Sequence, residues 1–437
     1  MRTPGKVRRS RLSGPMLAVV ATAMLALLAS GVAAAHPDPD LRKIRDFRSV
    51  ETSSLTDAPL GPAPCVDGEA AGFPCQNVDL LSFLPLADIG GGVIGNDIWG
   101  WEDPQTDRDY AIMGRTNGTA FVDITDPTEP VYVGNLPSQS VSPAFIFWRD
   151  IKVYQNHAFI VSEHRGHGMQ VFDLTRLRNV QNPPATFTAD TVYRRFSSAH
   201  NVFINEDSGR AYAVGSNTCR GGPHIVDITN PTSPQFAGCY ADDGYTHDVQ
   251  CIIYDGPDSR FTGREICFAS NEDTVTIVDL TDIAAPQMLA RVGYPTASYT
   301  HQGWLTQDRR WFVFNDELDE LLGRVPRQTT YILDVANLTN PPTPVASTNR
   351  TTAIDHNLYI TGGFVYESNY TAGLQIFDAA SIPTGQLTEV AYFDIYPAND
   401  DPEFEGSWSN YPFYDEGFVA VSGIDSGLFV VRPTLGA

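Results

Sequence analysis

The sequence predicts an all-β protein, a seven-bladed β-propeller, and three observations carry that prediction. A short strand ending in an apolar-x-Asp signature recurs at blade-sized intervals. Runs of β-branched and aromatic residues, punctuated by Gly, Pro, Asn and Asp, fill those intervals as four-strand units. An outer-strand-like segment near residue 78 has no signature strand before it, so the C-terminal unit is left as its partner.

The signature strand reads Ala120-Phe-Val-Asp-Ile-Thr125, Gln170-Val-Phe-Asp-Leu-Thr175, His224-Ile-Val-Asp-Ile-Thr229, Thr276-Ile-Val-Asp-Leu-Thr281, Tyr331-Ile-Leu-Asp-Val335 and Gln375-Ile-Phe-Asp-Ala379. The aspartates Asp123, Asp173, Asp227, Asp279, Asp334 and Asp378 lie 44 to 55 residues apart. A seventh copy, Leu428-Phe-Val-Val-Arg432, has lost the acid. The Asp-x-Thr-x-Pro pattern is turn chemistry: Asp and Thr side chains bond nearby amides, and Pro presets φ. These aspartates are therefore read as structural.

The signature is the third strand of each unit. An outer strand such as Pro130-Val-Tyr-Val-Gly134 follows it, then the next unit's inner strand, such as His200-Asn-Val-Phe-Ile204, and second strand, such as Ala211-Tyr-Ala-Val-Gly215. Val78-Asp-Leu-Leu-Ser-Phe-Leu84 supplies the missing outer strand. Pairing it with Leu428–Val431 closes the ring and hides its edges.

The first residues carry export information. Arg2, Lys6, Arg8, Arg9 and Arg11 precede an apolar run from Met16 to Ala29, and Ala33-Ala34-Ala35 ends the segment. That order reads as a signal peptide cleaved after Ala35, leaving a secreted, extracellular or periplasmic chain. The run is shorter than the ~20 residues a membrane span needs. Residues 36–75 are expected to form an irregular arm with a disulfide loop, and 76–437 the propeller. Without residues 1–35 the chain has 24 Lys+Arg against 52 Asp+Glu, a net charge of −28. Such a surface excludes nucleic acid and anionic membrane as partners and suits cations.

Six cysteines in an exported chain favour disulfides over free thiols. Cys65 and Cys75 bracket one loop. Cys219, Cys239, Cys251 and Cys267 leave three pairings, of which Cys251–Cys267 across a hairpin with Cys219–Cys239 is favoured.

Four longer strings are distinctive: Phe73-Pro-Cys-Gln-Asn-Val-Asp-Leu-Leu-Ser82, Gly244-Tyr-Thr-His-Asp-Val-Gln-Cys251, Gly263-Arg-Glu-Ile-Cys267 and Asn315-Asp-Glu-Leu-Asp-Glu320. Through them the chain, over roughly residues 60–437, resembles the choice-of-anchor B family of secreted bacterial proteins with LVIVD-type repeats. The resemblance implies a propeller and an exported or surface protein; it implies no reaction. Members carry varied C-terminal anchors, whereas this sequence ends at Pro433-Thr-Leu-Gly-Ala437, directly after the last strand.

Candidate chemistry follows from register. The inner strands begin at Asp97, Asp150, His200, His247, His301 and His356, with Trp408 or Ser409 in the seventh unit. Inner strands line the central channel, so four histidines from consecutive blades face one mouth, with Asp97 and Asp150 as secondary ligands. The second strands end at Asn117, Glu163, Asn217, Asn271-Glu272, Asn315-Asp316-Glu317 and Glu367 to Asn369. Antiparallel pairing puts those residues on the same rim. Imidazole suits Zn, Cu or Fe, while carboxylates suit Ca. The competing reading is that each histidine bonds a neighbouring blade and merely locks the ring. Asp316, Glu317 and Asp319 form a weaker calcium candidate, with an acidic surface loop as the plain alternative. Glu163-His164-x-x-His167 is read as a solvated loop. The functional expectation is an extracellular module that binds a protein or glycan, with a metal-dependent channel enzyme as the alternative. Oligomeric state leaves no trace in the sequence.

Overall fold

The computed structural model describes residues 58–140 and 148–435. The expected signal segment and the part of the arm before residue 58 lie outside the described residues. Seven sheets make up the described chain, antiparallel except where Ala185–Thr186 joins Val131–Pro137 in parallel, and their inner strands contact one another in a closed cycle. Those inner strands are Gly95–Asp103, Arg149–Tyr154, Asn201–Asn205, Asp248–Ile253, Thr300–Leu305, Leu358–Thr361 and Ser407–Tyr411. The protein is a seven-bladed propeller, as the repeat predicts.

Closure also follows the prediction. Val78–Pro85 pairs antiparallel with Gly427–Pro433, Leu84 opposite Leu428 and Leu80 opposite Val431. Described parts of the arm depart from the irregular expectation. Phe73–Gln76 adds to the outer strand of the sixth blade, and Glu69–Ala70 adds to it in turn. Leu60 and Ala63 exchange backbone bonds with Phe83 and Leu80. Open outer edges of two blades offer amides and carbonyls, and the arm fills them.

Each interface between neighbouring blades has its own apolar core. Ile112, Phe121, Ile160 and Phe172 join the first two blades. Phe83, Phe393, Phe429 and Val431 join the sixth and seventh. The period-2 pattern produces this: alternate side chains of each strand face the previous or the next blade.

All six signature aspartates accept a hydrogen bond from the backbone amide two residues on, at 2.9–3.1 Å. Arg264 and Arg310 also pair with Asp279 and Asp334. They are turn residues, and register puts them on the rim opposite the histidines: Arg210 faces Asp227, while Asn201 faces Val214. The three disulfides are Cys65–Cys75, Cys219–Cys239 and Cys251–Cys267. Cys251 and Cys267 stand directly opposite on adjacent strands. Among the described residues, no helix is long and apolar enough to cross a membrane. Disulfides of this kind belong to an oxidising compartment.

Candidate metal centre at the channel mouth

His200, His247, His301 and His356 come together as the register argument requires. Neighbouring rings lie 4.2, 4.1 and 4.3 Å apart in that order. All four residues are buried. The turn after the third blade's second strand, Arg210–Val214, is crowded against His200. Gly215 has φ +58°, and a Cβ there would stand 2.5 Å from His200 Cβ.

Hydrogen bonds fix each ring. His247 Nδ1 donates to the His301 carbonyl at 2.9 Å, and His356 Nδ1 to the Trp408 carbonyl at 2.6 Å. A carbonyl can only accept, so both Nδ1 atoms carry the proton. His200 Nδ1 donates to Glu163 Oε1 at 2.7 Å, and His301 Nδ1 to Asn315 Oδ1 at 3.2 Å. Asn315 is itself oriented, because its amide nitrogen donates to the His356 carbonyl. The residues ending the second strands thus hold those beginning the inner strands. Blade-locking bonds do exist, but they use Nδ1 and leave the Nε2 of the neutral His247, His301 and His356 rings unprotonated.

Glu317 enters this group. Its carboxylate lies 3.5 Å from His356 Nε2 and 3.9 Å from His301 Nε2. His247, His301 and Glu317 each offer a ligand atom within 4.8 Å of the others. No hydrogen-bond donor or acceptor reaches His356 Nε2, although it is buried. Tyr370 donates its hydroxyl to Glu317. Burial, and then the neighbouring imidazoles, hold His247 and His301 well below the ordinary histidine pKa, and burial pushes His356 down to about 3. Neutral imidazole with a free Nε2 is the ligating form. A roof of Trp148, Trp408, Tyr299, Ile354 and Phe404 covers the site, with the two tryptophans stacked at 4.3 Å.

Asp97 and Asp150 do not serve as expected. Lys152 Nζ lies 2.5 Å from Asp150 and 3.6 Å from Asp97, above the Trp99 ring. They also accept from the amides of Ile151 and Val202, each on the next blade's inner strand. Burial opposes the Lys152 charge, but Asp150 and Asp97 outweigh it and keep its pKa above the ordinary lysine value. Burial first, then Asp150, pushes nearby Asp248 up to about 7. Lys152 was the missing signal: a basic residue in a strand lining an acidic channel.

The proposed calcium trio separates. Asp316 accepts from Tyr294 Oη and from the amides of Ser298, Tyr299 and Leu318, which occupies it fully. Glu317 turns to the histidines, and Asp319 faces elsewhere. The chain turns at Asp316–Leu318, so alternate residues do not share a face. The Glu163–His167 segment is solvated only at Arg165 and Gly166. His164 and His167 are buried, and His167 Nε2 accepts from Arg149 at 3.1 Å. Burial, then Arg149, pushes His167 down to about 3.

Comparisons with known proteins bear on the repeat and the fold. The LVIVD repeat matches residues 108–137 and 220–242. No curated protein matches the chain. Among solved structures it is similar to the β-propeller domain of Cps50 (Swd1) from Myceliophteria thermophila, at 14% identity and TM-score 0.47, over 77% of this chain and 96% of that one. A functionally unknown protein from Desulfotomaculum acetoxidans DSM 771 is similar at 11% identity and TM-score 0.48, over 75% and 96%. The computationally designed protein Ika8 is similar at 10% identity and TM-score 0.45, over 74% and 80%. The chain thus carries LVIVD repeats within a seven-bladed propeller.

Proposed function

We propose that this is an exported propeller of the choice-of-anchor B kind, cleaved after Ala35, that holds one transition-metal ion at its axis. One observation carries the reading: four buried imidazoles, each with Nδ1 anchored to an oxygen, gather at the axis, and His247, His301 and His356 lie there with the Glu317 carboxylate. Orienting bonds of this type are what metal-binding histidines have behind them. Imidazole with one carboxylate suits Zn, Cu or Fe. Such an ion would supply Lewis-acid or redox chemistry, with Glu317 and Tyr370 beside it to position a proton. Protein recovered after export should contain about one equivalent of one such metal by mass spectrometry, and His301→Ala or His356→Ala should lower that content ~10-fold or more. Sub-stoichiometric metal in the wild type sinks the proposal.

A second reading, extracellular binding of a glycan or protein, is favoured by a cleft on the opposite rim. It encloses ≈ 820 Å³ between the fifth and sixth blades, lined by Trp304, Trp311, Gln307, Asp308, Thr361 and Pro383. Aromatic faces among polar groups suit sugar rings. Trp311→Ala should abolish any glycan-array signal of the wild type; an array with no signal removes the glycan reading.

A further inference from the structure

A second acidic group lies between the fifth and sixth blades, apart from the imidazoles. Asp319 and Glu320 come from the loop after the fifth blade's second strand, Trp311–Asp316. Asp355 comes from just before the sixth blade's inner strand, Leu358–Thr361. One carboxylate oxygen from each lies within 4.8 Å of the others. All three are buried, at 0%, 6% and 0% exposure in that order.

Each carboxylate is tethered by one oxygen. Tyr331 Oη donates to Asp319 Oδ2 at 2.5 Å, the Thr329 amide to Glu320 Oε1 at 2.7 Å, and Thr330 Oγ1 to Asp355 Oδ2 at 3.1 Å. The other oxygen of each, Asp319 Oδ1, Glu320 Oε2 and Asp355 Oδ1, meets no N–H or hydroxyl donor, and the Asp319 and Glu320 carboxyls lie close enough to share a proton with each other. Among the described ion pairs no lysine or arginine serves any of the three. Glu367 stands close by and shares the Thr330 hydroxyl with Asp355. Three carboxylates facing one another in a dry site with unfilled oxygens lack a positive charge. Their donors are hard oxygens with no imidazole or thiolate among them, which selects a cation such as Ca²⁺ over the metals suited to the histidines.

We propose that Asp319, Glu320 and Asp355 bind a calcium ion that clamps the fifth blade to the sixth. The clamp also fixes the loop carrying Glu317, two residues before Asp319, and so supports the axial site. This ligand set differs from the trio that the sequence suggested: Asp319 is shared, and Asp316 and Glu317 are replaced.

The test uses the full exported chain stripped with chelator and titrated with CaCl₂ alone, by calorimetry and by thermal melting. Wild type should bind about one equivalent and gain several degrees in Tm. Asp355→Asn and Glu320→Gln, near-isosteric changes, should weaken calcium binding at least tenfold and lose the Tm gain. His301→Ala should keep both, because no imidazole is among the three ligands. No calcium binding by the wild type overturns the proposal, whether or not a variant folds. So does unchanged binding in both carboxamide variants, or loss of binding in His301→Ala.

Discussion

Asp279 shows what the repeated acid does. It is buried, it accepts from the Thr281 amide at 3.0 Å, and it pairs with Arg264 at 2.7 Å. Asp279→Ala removes the acceptor from that amide and from the half-exposed guanidinium, so chemical denaturation should show a loss of ~0.5–1.5 kcal/mol. Asp279→Asn keeps an acceptor oxygen and should cost less. His224 gives a pH signature of its own. Its ring nitrogens meet Tyr193 Oη and Thr218 Oγ1, each at 2.8 Å. Burial, then the nearby Arg195, pushes its pKa down to about 4. An unfolded histidine titrates near ~6.5, so over this range the folded state binds fewer protons. The neutral ring's contribution is therefore complete above pH ~6.5 and fades as pH falls toward about 4. His224→Gln, read by urea unfolding at pH 7 and pH 4.5, should flatten that part of the acid slope. An unchanged slope would contradict a neutral buried His224.

Among the elements, the closing strand Val78–Pro85 matters most. It buries Val78, Leu80, Leu81 and Phe83 and supplies the outer edge of the seventh blade. Each such side chain is worth ~1.5–3 kcal/mol in burial. A chain beginning after Pro85 leaves the Gly427–Pro433 edge and the cores beside it open. It should lose its cooperative melt and associate, as read by circular dichroism and size-exclusion chromatography. A monomer with a sharp melt would show that closure is dispensable. The arm strands Glu69–Ala70 and Phe73–Gln76 were harder to foresee. They are short, and what orders them is the free edge of the sixth blade and the Cys65–Cys75 bridge, neither of which is local.

Across the whole molecule, the ring places like with like. Every inner strand starts at one rim, so a residue type repeated at that position becomes a cluster at the axis. That is why His200, His247, His301 and His356 were legible without coordinates, and why the signature aspartates could be assigned to the far rim. Repetition in the sequence determined the blade count, the strand order, the closing pair and the convergence of the imidazoles, because each depends on register alone. Tertiary structure alone decided which charges meet. Lys152 draws Asp97 and Asp150 to itself, and the turn at Asp316 sends Glu317 to the histidines. Asp355 joins Asp319 and Glu320 from the neighbouring blade. Those meetings depend on the direction each side chain takes in loops and across blade boundaries, where no period in the sequence constrains it.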